Sequence, residues 1–367
     1  MSFDESKDST PSVCHSLSKR EDGTYNYNRS GHPMERLVKE EIAKLHGVHS
    51  NNVAMANSGI DAIAIVLHGI MVTNQFKHLN IYYANELYCD SPRYIKYFDR
   101  IYGISNIQKF DVLNSRELID EFKKKRNKDN VVFVESCSNP NGHVFDYSII
   151  KELRKTSRNL WVVVDNTWTP VPCHNPLDYD VDIMVSSTSK HFSAGTCIGG
   201  FVISQNKTFA RNLADYNRIN GKHISLPYCE LIESALPYMA DRISTTYTKT
   251  KKVLNAVNTV LKSGERRILL NVQHPYLEDH DSHDLFAKYF KFGASTFTME
   301  VGLDKKTAIT WMKSFTSTSF KTSFGSADSK FDNWPTRLTD KTTLVRLTIG
   351  YDTNEDILIE ELKRKLC

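Results

Sequence analysis

VVVDNTWTPVPCHNPLDYDVDIMVSSTSKHF, residues 162–192, holds two short apolar runs, each ending in polar residues able to do chemistry. The first run, WVVVD (161–165), closes on Asp165. The second, DIMVS (182–186), leads into Ser187, Thr188, Ser189 and Lys190. Both runs are apolar throughout, as strands buried on two faces of a parallel sheet are. An open parallel sheet binds ligands beyond the carboxyl ends of its strands. The residues just after each run are therefore the first candidates for a site.

Working outward, further strand-like runs are NIYYA (80–84), VVFVE (131–135) and GFVIS (200–204). Between them, SGIDAIAIVLHGIM and YSIIKELRKTSR read as helices. Ahead of them, PMERLVKEEIAKLHG repeats apolar residues at Met34, Leu37, Val38, Ile42 and Leu45, with Gly47 as its terminator. The alternation predicts an α/β fold, a mostly parallel sheet with helices on both faces. From about residue 210 the pattern changes. A long helical region (roughly 230–263) precedes the strand-like STFTMEV and TLVRLTIG and a closing helix, EDILIEELKRKL. That predicts a smaller C-terminal α+β domain. The expected organisation is an N-terminal arm and helix over 1–50, a large domain over 51–210 and a C-terminal domain over 211–367.

At 367 residues the chain has room for two domains. Its 47 basic and 43 acidic residues leave a net charge of +4, spread along the chain, which argues against a nucleic-acid surface. The seven cysteines form no CxxC pair, a pattern of reduced thiols in the cytoplasm. The polar N-terminus shows no signal-peptide core, and IDAIAIVLHGIMV (60–72) is too short to span a bilayer, so no membrane role is expected.

Asp165 can be a metal ligand, a general base or a partner for a protonated ring nitrogen. Lys190 stands among hydroxyls, with no acid beside it in sequence. In a partly dry pocket such a lysine loses its proton readily and attacks carbonyls. The serines supply donors suited to a phosphate. Together these residues point to pyridoxal phosphate, with the lysine holding its aldehyde and the aspartate keeping the ring nitrogen protonated. ANSGIDAI (56–63) sets Ser58 and Gly59 at a helix start, where backbone amides can receive a phosphate. Tyr88, in ANELYCDSPRY, is a candidate to stack on the ring. Asn139 and Pro140 follow a strand in VESCSNPNG.

On these residues, with YNYNRSGHP, KLHG and LVRLTIGYD, the chain resembles the cysteine/methionine-metabolism branch of the fold-type-I pyridoxal-phosphate enzymes. That branch includes cystathionine γ-synthase, the cystathionine lyases and methionine γ-lyase. The resemblance runs from about Tyr25 to the C-terminus. It implies β/γ-elimination or γ-replacement on a sulfur-containing or O-activated amino acid, through a Lys190 Schiff base. Gly59, the Ile60 amide, Ser187 and Ser189 would bind phosphate, and Asp165 would pair with the ring nitrogen. Tyr88 would stack on the ring and assist proton transfer at the leaving group. Asn139 would sit beside the cofactor's oxygen, Arg346 would clamp the substrate carboxylate, and Ser323 would lie near it. Tyr27 and Arg29 match a Tyr-x-Arg that reaches the phosphate of a neighbouring subunit, which implies a homodimer or homotetramer with shared sites. An aminotransferase or another lyase on the same fold, or a cofactor-binding homologue without turnover, would use the same pocket.

The chain departs from the family around this pocket. Ser189 replaces a threonine, His191 a tyrosine, and CDS (89–91) the Gly-Gly/Cys-Thr after the stacking tyrosine. Thr322 stands where substrate type varies among relatives. No metal is expected: HPYLEDHDSHD (274–284) has several potential ligands but no helical ligand spacing, and reads as a polar loop.

Overall fold

The computed structural model describes residue 29 and residues 31–75, 77–103, 105–124, 129–264 and 267–367. Seven strands form one sheet: β1 (Val53–Ala56), β2 (Leu79–Ala84), β3 (Ser105–Phe110), β4 (Asp129–Glu135), β5 (Asn159–Asp165), β6 (Ile183–Ser187) and β7 (Gly200–Ser204). Their order is β1-β7-β6-β5-β4-β2-β3. The strands from β3 to β6 run parallel, whereas β7 is antiparallel to both β6 and β1. The reason lies in the connection. Residues 188–199 contain turns and no helix, so the chain reverses instead of crossing over. Lys190 sits in this reversal.

The helices of this half are α1 (Pro33–Leu45), α2 (Gly59–Thr73), α3 (Asp90–Tyr102), α4 (Glu117–Lys124), α5 (Ile150–Thr156) and α6 (Lys207–Ile219). Helix α2 is apolar on nearly every side because it packs between the sheet and other helices. It meets β6 and β7 on one side and α3 and α6 on the other. Its one buried acid, Asp61, pairs with Lys222 at 3.0 Å. Ser58 caps the helix by accepting from the Asp61 amide at 3.1 Å.

Beyond α6 come α7 (Leu226–Ala235) and the 25-residue α8 (Met239–Ser263). Helix α8 leads to a second sheet made of β8 (Leu269–Gln273), β9 (Thr296–Val301), β10 (Ser319–Phe320), β11 (Lys330–Phe331), β12 (Thr336–Arg337) and β13 (Thr343–Thr348). This sheet has the order β10-β11-β13-β9-β8, with β12 on β13, and is antiparallel apart from β10–β11. Helices α9 (His283–Tyr289), α10 (Lys305–Lys313) and α11 (Glu355–Leu366) complete it. It has its own core, in which Val253, Phe297, Met299, Val345 and Leu358 are buried. The boundary expected after residue 210 falls inside α6, which packs on β1 and β7.

The fold is therefore α/β, a mostly parallel sheet followed by an α+β unit. Among the described residues no helix is long and apolar enough to cross a membrane. No group of three potential metal ligands occurs among them. In the 274–284 stretch, His274 and His280 are taken up by backbone carbonyls, those of Ala294 and Asn141.

Candidate active site

Parallel register sets the site. Glu135 lies opposite Asp165, and Asp165 opposite Val185, so the ends of β4, β5 and β6 are level. Two residues past Val185 comes Ser187. A cavity of about 300 Å³ opens above these strand ends. Of the sequence-predicted residues, Gly59, Ile60, Tyr88, Asn139, Asp165, Ser187, Ser189, Lys190, Ser323 and Arg346 all line it. Tyr27 lies outside the described residues. Arg29 is exposed and does not line this cavity.

One end of the cavity is built to receive an anion. The α2 N-terminus presents the amides of Gly59 and Ile60, where the helix dipole favours negative charge. A Cβ on Gly59 would stand 2.8 Å from the Ser187 Cβ, so only glycine lets the start of α2 and the end of β6 come this close. The hydroxyls of Ser187 and Ser189 each reach the Gly199 carbonyl, at 3.4 and 3.3 Å, and flank the same end.

At the base, burial pushes the Asp165 carboxyl up to about 6, although Thr167 donates to it and Lys190 attracts it. Thr167 donates both its amide, at 3.0 Å, and its hydroxyl, at 2.5 Å, to Asp165, and its hydroxyl oxygen accepts from the Ser187 amide at 2.9 Å. It therefore ties the end of β5 to the end of β6. Beside it, Glu135 accepts from the Tyr88 amide at 2.5 Å, while its other carboxylate oxygen is buried without a partner among the described residues. Burial first, then the neighbouring Asp165, raises the Glu135 carboxyl well above the usual range.

Lys190 points into this space with no carboxylate in salt-bridge reach among the described residues, its Nζ lying 5.5 Å from the Phe324 ring centre. Burial, followed by the cations Arg346 and Lys330, holds its amine below the ordinary lysine range, and Asp165 opposes them. The C-terminal unit supplies the roof. Gly325, at φ 77°, brings the Ser323–Gly325 turn against the Lys190–His191 peptide; a Cβ there would sit 2.8 Å from the Lys190 carbonyl carbon. Arg346, on β13, donates from Nη1 to the Asn139 side chain at 3.0 Å and pairs through Nη2 with Asp332. Its Nε is buried without a partner among the described residues. His191 is fully enclosed; burial, then Arg242 and Lys190, lowers its imidazole to about 4, so it is neutral at physiological pH.

Sequence reading missed Glu135, Thr167, Trp168, Ile198 and Phe324 as cavity walls. Glu135 and Thr167 carried a usable signal, since each ends or follows a strand of the sheet. Ile198 and Phe324 carried none, because only the tertiary fold brings them in.

The geometry fits pyridoxal phosphate. An anion cradle of amides and hydroxyls, a half-buried carboxyl and a half-buried amine without a counter-ion among the described residues sit around one cavity, which is what phosphate, ring nitrogen and aldehyde each require. Comparison with known proteins points the same way. A profile of the "Cys/Met metabolism PLP-dependent enzyme" family matches residues 3–367. A cystathionine beta-lyase of Schizosaccharomyces pombe is 27% identical over 194 residues, 52% of this chain and 47% of that protein. An L-methionine gamma-lyase of Fusobacterium nucleatum subsp. polymorphum is 25% identical over 364 residues, 93% of this chain and 86% of its own. Among solved structures, cystathionine gamma synthase from Xanthomonas oryzae pv. oryzae superposes with a TM-score of 0.81 at 20% identity, covering 96% of this chain and 90% of that one.

Proposed function

The chain belongs to the Cys/Met metabolism PLP-dependent enzymes, and from that premise we propose that Lys190 holds the cofactor and that the cavity eliminates or replaces a β- or γ-substituent of a small amino acid. One observation carries the reading: a half-buried amine without a counter-ion among the described residues, set between an anion cradle and an arginine whose buried Nε has no partner among them. The substrate class includes cystathionine, methionine and O-activated homoserine, the first two matching the names of the relatives above.

Pyridoxal phosphate, when bound, supplies an electron sink for the charge left at the substrate's α-carbon. The Gly59 and Ile60 amides with Ser187 and Ser189 hold its phosphate. Asp165 holds its ring nitrogen, and Thr167 fixes the orientation of that carboxylate. Tyr88 covers the ring face. Arg346 takes the substrate carboxylate on its free edge, with Asn139 and Ser323 beside it. The Lys190 amine, whose proton burial makes easier to lose, removes the α-proton and returns a proton further along the chain. Tyr88 protonates the leaving group. Burial, then Asp90, pushes its phenol up to about 12, so it stays protonated and able to donate.

The same reading makes the active unit a homodimer or homotetramer, with Tyr27 and Arg29 of each chain serving a neighbour's phosphate site. It also places the protein in the cytoplasm. All six described cysteines are free thiols, as a reducing compartment keeps them.

The test is chemical. Borohydride reduction of the cofactor-loaded protein, followed by peptide mapping, should tag Lys190, and 2-oxo acid should form from at least one of cystathionine, methionine or O-acetylhomoserine. A tag on another residue overturns the assignment. A Lys190 tag without any product refutes the lyase reading and leaves a cofactor-binding protein.

A further inference from the structure

A second, outer cavity of about 730 Å³ adjoins the first and shares Tyr88, Asn139, Thr322 and Arg346 with it as walls. A side chain extending from a substrate held at Arg346 would enter this chamber. Two guanidiniums line it, Arg93 and Arg346, and each already holds an aspartate. Asp90 sits 3.1 Å from Arg93 Nη1 through one oxygen and accepts from the Tyr88 hydroxyl at 3.1 Å through the other. Asp332 pairs with Arg346 through one oxygen and accepts from the Trp334 amide at 2.7 Å through the other. Trp334, largely exposed, forms the outer wall.

The charge balance of these walls decides what the chamber admits. Two arginines and two aspartates cancel. Once Arg346 has taken the α-carboxylate, both guanidiniums facing the chamber are engaged by carboxylates. A second carboxylate at the far end of the side chain then finds no unpaired cation. Resting on the proposed amino-acid site, we infer that Asp90 is a specificity-determining residue: by holding Arg93 it sets the outer chamber against side chains whose far end carries a net negative charge and in favour of ends of no net charge, the zwitterionic end of cystathionine included. Asp90 stands where the resembling family carries a small residue after the stacking tyrosine, so this restraint is a property of this chain.

Two unreactive ligands isolate the effect. L-norleucine and L-2-aminoadipate share a backbone and chain length, and differ in ending in a methyl or a carboxylate. Calorimetric titration of the cofactor-loaded protein should show norleucine bound more tightly by wild type. In Asp90→Asn the affinity ratio should move toward aminoadipate by about two- to fivefold, the scale of an exposed ion pair. In Arg93→Gln, which leaves Asp90 uncompensated, it should move the other way. Taking a ratio cancels any change in the Tyr88 position, because both ligands feel it alike. If both ligands bind and the ratio stays put in either variant, Asp90 does not set specificity. Should neither ligand bind wild type, the amino-acid site itself is wrong and the inference falls with it.

Discussion

Asp165 stands in an environment that conflicts with stability. Enclosed above β5, it has a carboxyl raised to about 6 from 3.8, chiefly by burial. The folded state therefore holds this proton more tightly than the unfolded chain does. Stability from this group is complete below about 3.8 and is lost as pH rises through 6, at a cost on the order of 3 kcal/mol near neutrality. Under the proposed role, a cationic ring nitrogen would remove that penalty. Asp165→Asn separates the two effects. In cofactor-free protein, urea unfolding at pH 7.5 should show the variant about 2–3 kcal/mol more stable, and only about half that at pH 5. Its affinity for pyridoxal phosphate, followed by absorbance, should drop by at least about tenfold. A variant less stable than wild type at pH 7.5 contradicts this account of the carboxyl.

At the scale of elements, the close approach of α2 to β6 builds the anion cradle. Gly59 is where they meet, and the Cβ of Gly59→Ala would press on the Ser187 side chain, part of the cradle itself. The expected result is a loss of cofactor affinity of about tenfold or more, with a stability loss of only about 1–2 kcal/mol, because the helix keeps its Ser58 cap. Equal losses in both would mean that the contact serves packing alone. The short buried strands and α2 could be read from sequence because their apolar runs have no polar face to confuse the period. Strand direction could not: GFVIS carries no mark that β7 runs antiparallel, which follows from a helix-free return of the chain. Nor could β3, an edge strand whose SNIQKF lacks a continuous apolar run, or α3, whose DSPRYIKYFDRIY buries Ile95 and Phe98 but leaves Tyr97 and Ile101 exposed. Strand-end residues gave away Asp165 and Lys190. Phe324 and Arg346 line one cavity with them only because the C-terminal unit folds over the first sheet, a contact that spans far too much sequence for local patterning to record.

The whole molecule is organised around that contact. The large sheet contributes the amine, the carboxyl and the cradle; the C-terminal unit contributes Ser323, Phe324 and Arg346. Neither half lines the cavity without the other. The proposed pairing of chains extends the same logic across a subunit boundary, since the Tyr-x-Arg segment would complete a neighbour's cradle. Arg29 is exposed in the single chain, as a residue serving another subunit must be. A mixed dimer tests this directly. Lys190→Ala removes the amine from its own site, and Arg29→Ala weakens only the site of the partner. When the two variants are co-expressed with different tags and the mixed species is purified, one of its two sites pairs an intact Lys190 with an intact Arg29. The other carries both defects. The mixed dimer should therefore recover about half of wild-type activity, well above either parent variant. If each chain used its own Arg29, no site in the mixed species would be whole, and its activity would stay at the mean of the two parents.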